Sequence, residues 1–385
     1  MQKIFITSGG TGGHIIPARS LATQLIKVNY KVIFLGDEKV RSYKKGEDGF
    51  KTIIINASQL KKSPIFSLKA AFKIFSGFLH SLFLFLLYRP KAVFAFGGYA
   101  TFPVLLAAII TKRKIILHEQ NAHLGKVNRL FAKYADKIAT SFPETSGIKK
   151  SDLSKVVLVG NLVRSDIAKI GLSSYELPQK NNPEKDLNDE ARMGYKVLLA
   201  SDFKEKVVQK NMFRILVIGG SGGAQIFSKI LPKAFFNLSE RMKDKIQVVQ
   251  QCRQEALQST FEEYCSYNVN IAVDKFFEDM AQMINSSHLV IARAGSSSIF
   301  EFCAAKRPMI LIPFAEAADN HQEKNAVYLE KNNAAIVIRE KDFTIAKVSE
   351  ILRDLIDNEE KLKLMSENAA RLFIQDSVQR LINLL

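Results

Sequence analysis

The chain reads as an α/β protein made of two doubly wound parallel-sheet domains, and three observations carry that reading. First, two glycine clusters stand at matching points of its halves. Gly9-Gly10-Thr11-Gly12-Gly13-His14 follows Ile4-Phe5-Ile6, and Gly219-Gly220-Ser221-Gly222-Gly223-Ala224-Gln225 follows Ile215-Leu216-Val217-Ile218. Each reads as a buried strand, a tight turn that suits glycine, then a helix start. Second, runs of Val, Ile, Leu and Phe recur without polar alternation, as strands covered on both faces require. Third, segments of helical spacing separate most of these runs, the alternation that builds a parallel sheet.

In chain order, strands are expected at 3–7, 31–35, 51–55, 91–96, 114–118, 136–140 and 155–159, then at 213–218, 245–250, 269–273, 288–292, 308–312 and 335–338. Helical spacing marks 15–27, 224–238, 296–305 and 319–331. A chain of 385 residues exceeds one ordinary core, so two domains are the natural division. The first is placed at 1–165 and the second at 213–365. Between them, 166–212 reads as a linker with an insertion, because GLSS at 171–174 and KNNPEK at 180–185 are polar and loop-like. The tail from 344 is amphipathic, and its last segment, 366–385, caps the second domain or returns to brace the first.

The most apolar tract, 64–88, is a helix between two strands. Its uninterrupted portion, 81–88, is far short of the ~20 residues that span a bilayer. It serves either as a core helix or as one pressing phenylalanines and leucines into a membrane while Lys61, Lys62, Lys69 and Lys73 meet headgroups. The net charge of +17 favours the second use and points to an anionic partner: nucleic acid, an acidic membrane or a phosphorylated substrate. Apolar content of 47% with 24% charged residues is that of a globular protein and excludes a disordered one. Cys252, Cys265 and Cys303 form no metal-type or paired spacing, so a reducing compartment is expected. The first strand is placed almost at Met1, so no signal peptide is expected.

Helix starts present unpaired N–H groups and a partial positive charge, so both glycine turns suit phosphate. Two such turns imply facing domains with a nucleotide-type ligand between them. The first cluster lacks the Lys-Ser/Thr of a P-loop, and Ile15 stands where a dinucleotide fingerprint needs its third glycine. His14 follows directly on that turn, as a base able to take a proton near neutrality or as a histidine bonded at a helix start. Phe96-Gly97-Gly98-Tyr99 and His118-Glu119-Gln120-Asn121 end two further strands and would open on the same sheet edge, which describes a pocket. In the second half, Ser298 and Glu301 have the spacing of a capping box. The alternative puts 296–298 on a phosphate and Glu301 on a ribose diol. No Asp-x-Asp pair occurs, so a metal bridging a sugar nucleotide lacks its usual ligands. No recognition-helix or base-stacking pattern supports nucleic acid as the partner.

The ordered series GGTGGHIIPA, FGGYATFP, HEQN, GNLVR, GGSGGAQ, RAGSSSIFE and DNHQ-x-x-N resembles the MurG family, over nearly the whole chain apart from the linker. The resemblance implies a GT-B fold, two Rossmann-like domains facing across a cleft. It implies inverting transfer of GlcNAc from UDP-GlcNAc to lipid I, on the cytoplasmic face of the bacterial inner membrane and without a cofactor. By motif, Thr11, Gly12 and Gly13 would approach the donor's sugar and diphosphate, with His14 and Glu119 as catalytic candidates. Asn121 would contact sugar hydroxyls, Arg164 would help hold the donor and Ser221 would bind diphosphate. Phe277 would border the uracil, partly through its backbone. Ser296, Ser297, Ser298, Ile299, Phe300 and Glu301 would line diphosphate and ribose, with Glu301 on the ribose hydroxyls, and Gln322 would reach the GlcNAc hydroxyls. Two departures stand out: the second cluster has glycine at 222 where many members have glutamine, and the linker after Arg164 is long. A UDP-GlcNAc 2-epimerase or a diacylglycerol glycosyltransferase on the same scaffold are the competing activities.

Overall fold

The computed structural model describes residues 1–43, 49–58, 64–177, 212–220 and 223–385, with backbone alone at 64–67 and 69. Lys61, Lys62, Ser221, Gly222 and most of the expected insertion, 178–211, lie outside the described residues, as does the Lys69 side chain. The chain forms two compact units. One comprises Met1–Ser165, Ser296–Phe300 and Phe373–Leu385; the other comprises Asp166–Gly295 and Glu301–Leu372.

The first unit is built on β1 (Lys3–Ser8), β2 (Lys31–Gly36), β3 (Lys51–Ile54), β4 (Ala92–Ala95), β5 (Lys114–Glu119), β6 (Lys137–Thr140) and β7 (Val156–Leu158). Their order in the sheet is β3-β2-β1-β4-β5-β6-β7, all parallel. The order reverses between β1 and β4, which opens a crevice at their carboxyl ends. Strand period explains the lack of polar alternation. Phe5, Val93, Ala95, Ile115 and Leu117 feed one apolar layer, while Ile4, Ile6, Ala92, Phe94 and Ile116 feed the layer on the opposite face.

Helix α1 (Gly12–Lys27) begins inside the glycine cluster, with Thr11 as its N-cap, so His14 stands in its first turn rather than ahead of it. Helix α2 (Pro64–Tyr88) packs along α3 (Thr101–Ile110). Leu84 and Phe85 are buried in the first layer, with the Phe85 ring 4.8 Å from Phe5. The opposite face is unpartnered by the sheet: Leu68, Phe72, Phe75, Leu79, Phe83, Leu86 and Leu87 are all exposed. Their spacing of three and four residues makes one continuous stripe. The uninterrupted run 81–88 is only part of the apolar length of this helix. Ala70–Tyr88, 19 residues, contains an 18-residue window of mean hydropathy 1.8, long and apolar enough by composition to cross a membrane. The seated Phe85 face makes it instead a domain helix with an apolar outer side.

The C-terminal helix Ser377–Ile382 packs on α1, with Leu381 fully buried beside Ile4 and Ile6. The preceding helix, Glu359–Leu372, runs across the expected boundary at 365/366, and the segment grouped with the first unit starts at Phe373.

The second unit repeats the plan with β8 (Phe213–Ile218), β9 (Ile246–Gln251), β10 (Asn270–Asp274), β11 (Leu289–Ala292), β12 (Met309–Leu311) and β13 (Ala335–Val337), ordered β10-β9-β8-β11-β12-β13. Its crevice falls between β8 and β11. Every strand expected from the sequence thus has its counterpart. Tyr175 from the start of the linker packs against this unit's core and donates from its hydroxyl to the His288 carbonyl at 2.7 Å.

Candidate functional site

In the first unit, the turns after β1 and β4 interlock. Gly98 has φ +85°, and a Cβ there would lie 2.2 Å from the Gly9 carbonyl oxygen, so only glycine allows this approach. The Gly10 N–H donates to Asp37 Oδ2 at 3.0 Å. Asp37 also receives the Tyr99 hydroxyl, whose pKa is pushed up to about 12, by burial first and then by the bond to and charge of that carboxylate. Gly97, at φ +87°, lets the β4 turn lie against the His14 imidazole.

His14 Nδ1 is 2.8 Å from Gln120 Oε1, and Gln120 Nε2 is 3.0 Å from His118 Nδ1. His118 Nε2 is 3.2 Å from the Gly160 carbonyl oxygen. Burial pushes the His118 pKa down to about 4; the Gly160 bond opposes this, and nearby His14 adds to it, so His118 is neutral at pH 7.

Glu119, expected among the catalytic residues, is held in a hydrogen-bond network. Its side chain is buried, and its oxygens accept from the Asn121 N–H and Nδ2 at 3.1 and 3.2 Å, Gly125 N–H at 2.8 Å and Asn128 Nδ2 at 2.9 Å. Four donors occupy the carboxylate, which brackets the loop between β5 and α4 (Lys126–Phe131) and fixes Asn121. Thr11 is exposed at the rim, with Gly12 and Gly13 half-buried beside it. Arg164 lies half-buried in the loop after β7.

In the second unit, Gly219 and Gly220 leave β8, and Gly220 and Gly223 both have positive φ. Helix Gln225–Phe236 follows. At the end of β11, Gly295 is the N-cap of helix Ser296–Ala304, whose residues Ser296–Phe300 are grouped with the first unit, and there is no side-chain bond at the cap. The Ser298–Glu301 capping box therefore does not set this terminus: Ser298 is already inside the first turn. Ser296 and Glu301 are buried, and Ile299 and Phe300 have fully buried side chains that leave only their backbone to a ligand. The Phe277 ring is buried too, while Phe276 is the exposed aromatic of that loop. Gln322 Oε1 accepts from the Ala294 and Phe314 N–H groups at 3.2 and 3.0 Å, which turns its NH2 to the role of donor.

Sequence reasoning passed over Asp37, Tyr99, Gln120 and Asn128 as individual residues, and the Arg293–Glu340 pair, 2.9 Å apart. Glu340 also accepts from the Ala315 N–H at 3.1 Å, so the pair braces the loop after β12. Their common signal is position: Asp37, Tyr99, Gln120 and Arg293 all follow strand carboxyl ends.

Residues 4–140 match the Glycosyltransferase family 28 N-terminal domain, and 214–381 match the Glycosyltransferase family 28 C-terminal domain. Over 384 residues the chain is 35% identical to a protein of Wolbachia sp. subsp. Drosophila simulans named UDP-N-acetylglucosamine--N-acetylmuramyl-(pentapeptide) pyrophosphoryl-undecaprenol N-acetylglucosamine transferase, covering 100% of this chain and 98% of that one. Among solved structures it is similar to Acinetobacter baumannii MurG, with TM-score 0.74 and 24% identity over 100% of this chain and 99% of that one. It is also similar in fold to a Neisseria meningitidis UDP-GlcNAc 2-epimerase bound to UDP-GlcNAc, with TM-score 0.68 and 14% identity over 99% of each chain.

Proposed function

The chain belongs to the MurG family of UDP-N-acetylglucosamine–N-acetylmuramyl-(pentapeptide) pyrophosphoryl-undecaprenol N-acetylglucosamine transferases, with the two-unit α/β architecture of the GT-B class, and from that premise we propose how its site works. The reaction is inverting transfer of GlcNAc from UDP-GlcNAc to the 4-hydroxyl of MurNAc in lipid I, giving lipid II and UDP. The acceptor oxygen bonds to the anomeric carbon as the bond from that carbon to the phosphate oxygen breaks, and the electron pair leaves with UDP. His14 takes the hydroxyl proton, an effect worth ~10²–10⁴-fold.

Charge building on UDP is met by N–H groups of the helix starts at Gln225 and Ser296, by Ser221 and by Arg164. Glu301 holds the ribose hydroxyls, the Phe277 backbone borders the base, and the Gln322 NH2 and Asn121 face GlcNAc hydroxyls. Thr11, Gly12 and Gly13 approach the donor's sugar and diphosphate. Glu119 positions Asn121 rather than moving a proton.

The observation that carries the transferase reading over an epimerase is the apolar stripe of α2, on the unit that also holds His14. An epimerase acting on a soluble sugar nucleotide has no use for it, whereas a polyprenyl-linked acceptor is met at a lipid surface. The enzyme therefore works as a peripheral protein on the anionic cytoplasmic face of the membrane. Incubation with radiolabelled UDP-GlcNAc and a short-chain lipid I analogue should release UDP only when the acceptor is present and yield a β-linked disaccharide lipid. UDP-ManNAc formed from the donor alone, with no transfer, would overturn the reading.

A further inference from the structure

We infer that Gln120 is a positioning residue for the transfer, which, through a hydrogen-bonded chain anchored on the Gly160 carbonyl, holds neutral His14 in the tautomer with its proton on Nδ1 and its basic lone pair on Nε2. This rests on the reading of His14 as the base. The direction of the chain follows from its anchor. A carbonyl oxygen only accepts, so the 3.2 Å contact of His118 Nε2 with Gly160 requires the proton of neutral His118 on Nε2. His118 Nδ1 is then an acceptor, and the nitrogen of the Gln120 amide must face it, at 3.0 Å. The same nitrogen donates to the His118 carbonyl at 3.2 Å, so a flipped amide would set its oxygen against two acceptors. With the amide fixed, Gln120 Oε1 faces His14 Nδ1 at 2.8 Å, and Nδ1 carries the proton.

The titratable neighbours do not supply an alternative. His118 is uncharged, Glu119 gives its oxygens to Asn121, Gly125 and Asn128, and Asp37 receives Gly10 N–H and the Tyr99 hydroxyl. The acceptor at Nδ1 is thus a neutral amide, which orients the ring without the added basicity a carboxylate partner would give. Free histidine prefers its proton on Nε2. Gln120 selects the other form, and so leaves Nε2 able to receive a proton from the acceptor hydroxyl.

The test is the ¹⁵N spectrum of histidine-labelled protein above neutral pH, with His14 assigned by the loss of its signals in His14→Ala. The wild-type protein should show a protonated Nδ1 and an unprotonated Nε2. Gln120→Met should move His14 toward the Nε2–H form and lower kcat on the order of 10-fold, the rate equivalent of one neutral hydrogen bond, with a smaller change in the acceptor KM. A wild-type His14 with its proton on Nε2 overturns the inference without any Gln120 variant having to fold, as does a Gln120→Met protein with the wild-type tautomer. An active His14→Ala protein whose parent shows the expected tautomer sinks the base assignment alone and leaves the orientation of the ring standing.

Discussion

At the residue scale, two buried groups make separable predictions. Glu119 is 1% exposed and accepts four hydrogen bonds. Glu119→Gln turns an NH2 toward donors that then lack an acceptor, at a cost on the order of 1–3 kcal/mol. Thermal melting should show the first unit destabilised, with activity falling in step. A variant that keeps its Tm and loses all turnover would instead mark Glu119 as a proton carrier. His118 and His288 predict acid lability. Burial pushes the His288 pKa down to about 3, aided by the charges of Arg214 and Arg307, and its Nδ1 accepts the Arg214 N–H at 2.8 Å. Both histidines stay neutral when folded and take a proton near pH 6.5 when unfolded. Their contribution to stability is therefore whole above pH 6.5 and lost as pH falls toward about 4 for His118 and about 3 for His288. Chemical denaturation across this range should show stability falling by about 1.4 kcal/mol per pH unit for each histidine. A flat profile between pH 6.5 and 5 would contradict the neutral assignment.

At the element scale, α2 carries the sharpest contrast. Phe72, Phe75 and Phe83 are exposed, whereas Phe85 is fully buried against Phe5. The triple change of the exposed three to serine should leave the fold intact and weaken co-sedimentation with anionic vesicles at least about tenfold, since burying each ring is worth up to ~1.5–3 kcal/mol. Phe85→Ser alone should cost ~3–5 kcal/mol of stability. Unchanged vesicle binding by a folded triple variant would remove the membrane role. This helix also shows what the sequence hides: both its sides are apolar, so composition cannot say which is seated, and Phe78 packs on the core while Phe75 does not. The strands were legible because strand period sends apolar side chains to two covered faces. The glycine turns were legible because positive φ and close approach exclude other residues. That the Phe277 ring is buried and the Phe276 ring exposed was not legible, since adjacent aromatic rings differ only in which one the loop turns inward. The chain from His14 to Gly160 joins the ends of separate strands, and no local pattern records it.

At the scale of the whole molecule, the last residues of the chain stabilise its first fold unit. Phe373–Leu385 is grouped with Met1–Ser165, Leu381 is buried with Ile4, Ile6 and Ile15, and Lys114 Nζ donates to the Leu385 main-chain oxygen at 3.0 Å. Val378, Ile382 and Leu384 add partly buried apolar surface to the same layer. Behind the site, Gly160 takes φ +86° against Ile374, where a Cβ would come within 2.7 Å of that side chain. The carbonyl of this same Gly160 anchors His118, so the C-terminal segment packs against the turn from which the orientation of His14 begins. A chain stopped after Leu372 should lose on the order of 3–6 kcal/mol from the first unit, counting full burial of Leu381 and part of its neighbours. Hydrogen exchange should then rise in β1, α1 and β5 while β8 to β13 keep their protection. Equal loosening of both units would show that the tail acts through the whole chain rather than through the layer it fills. In Ile374→Ala, which keeps the rest of the segment, a fall in kcat larger than the fall in stability explains would place the effect at Gly160 and the histidine it holds.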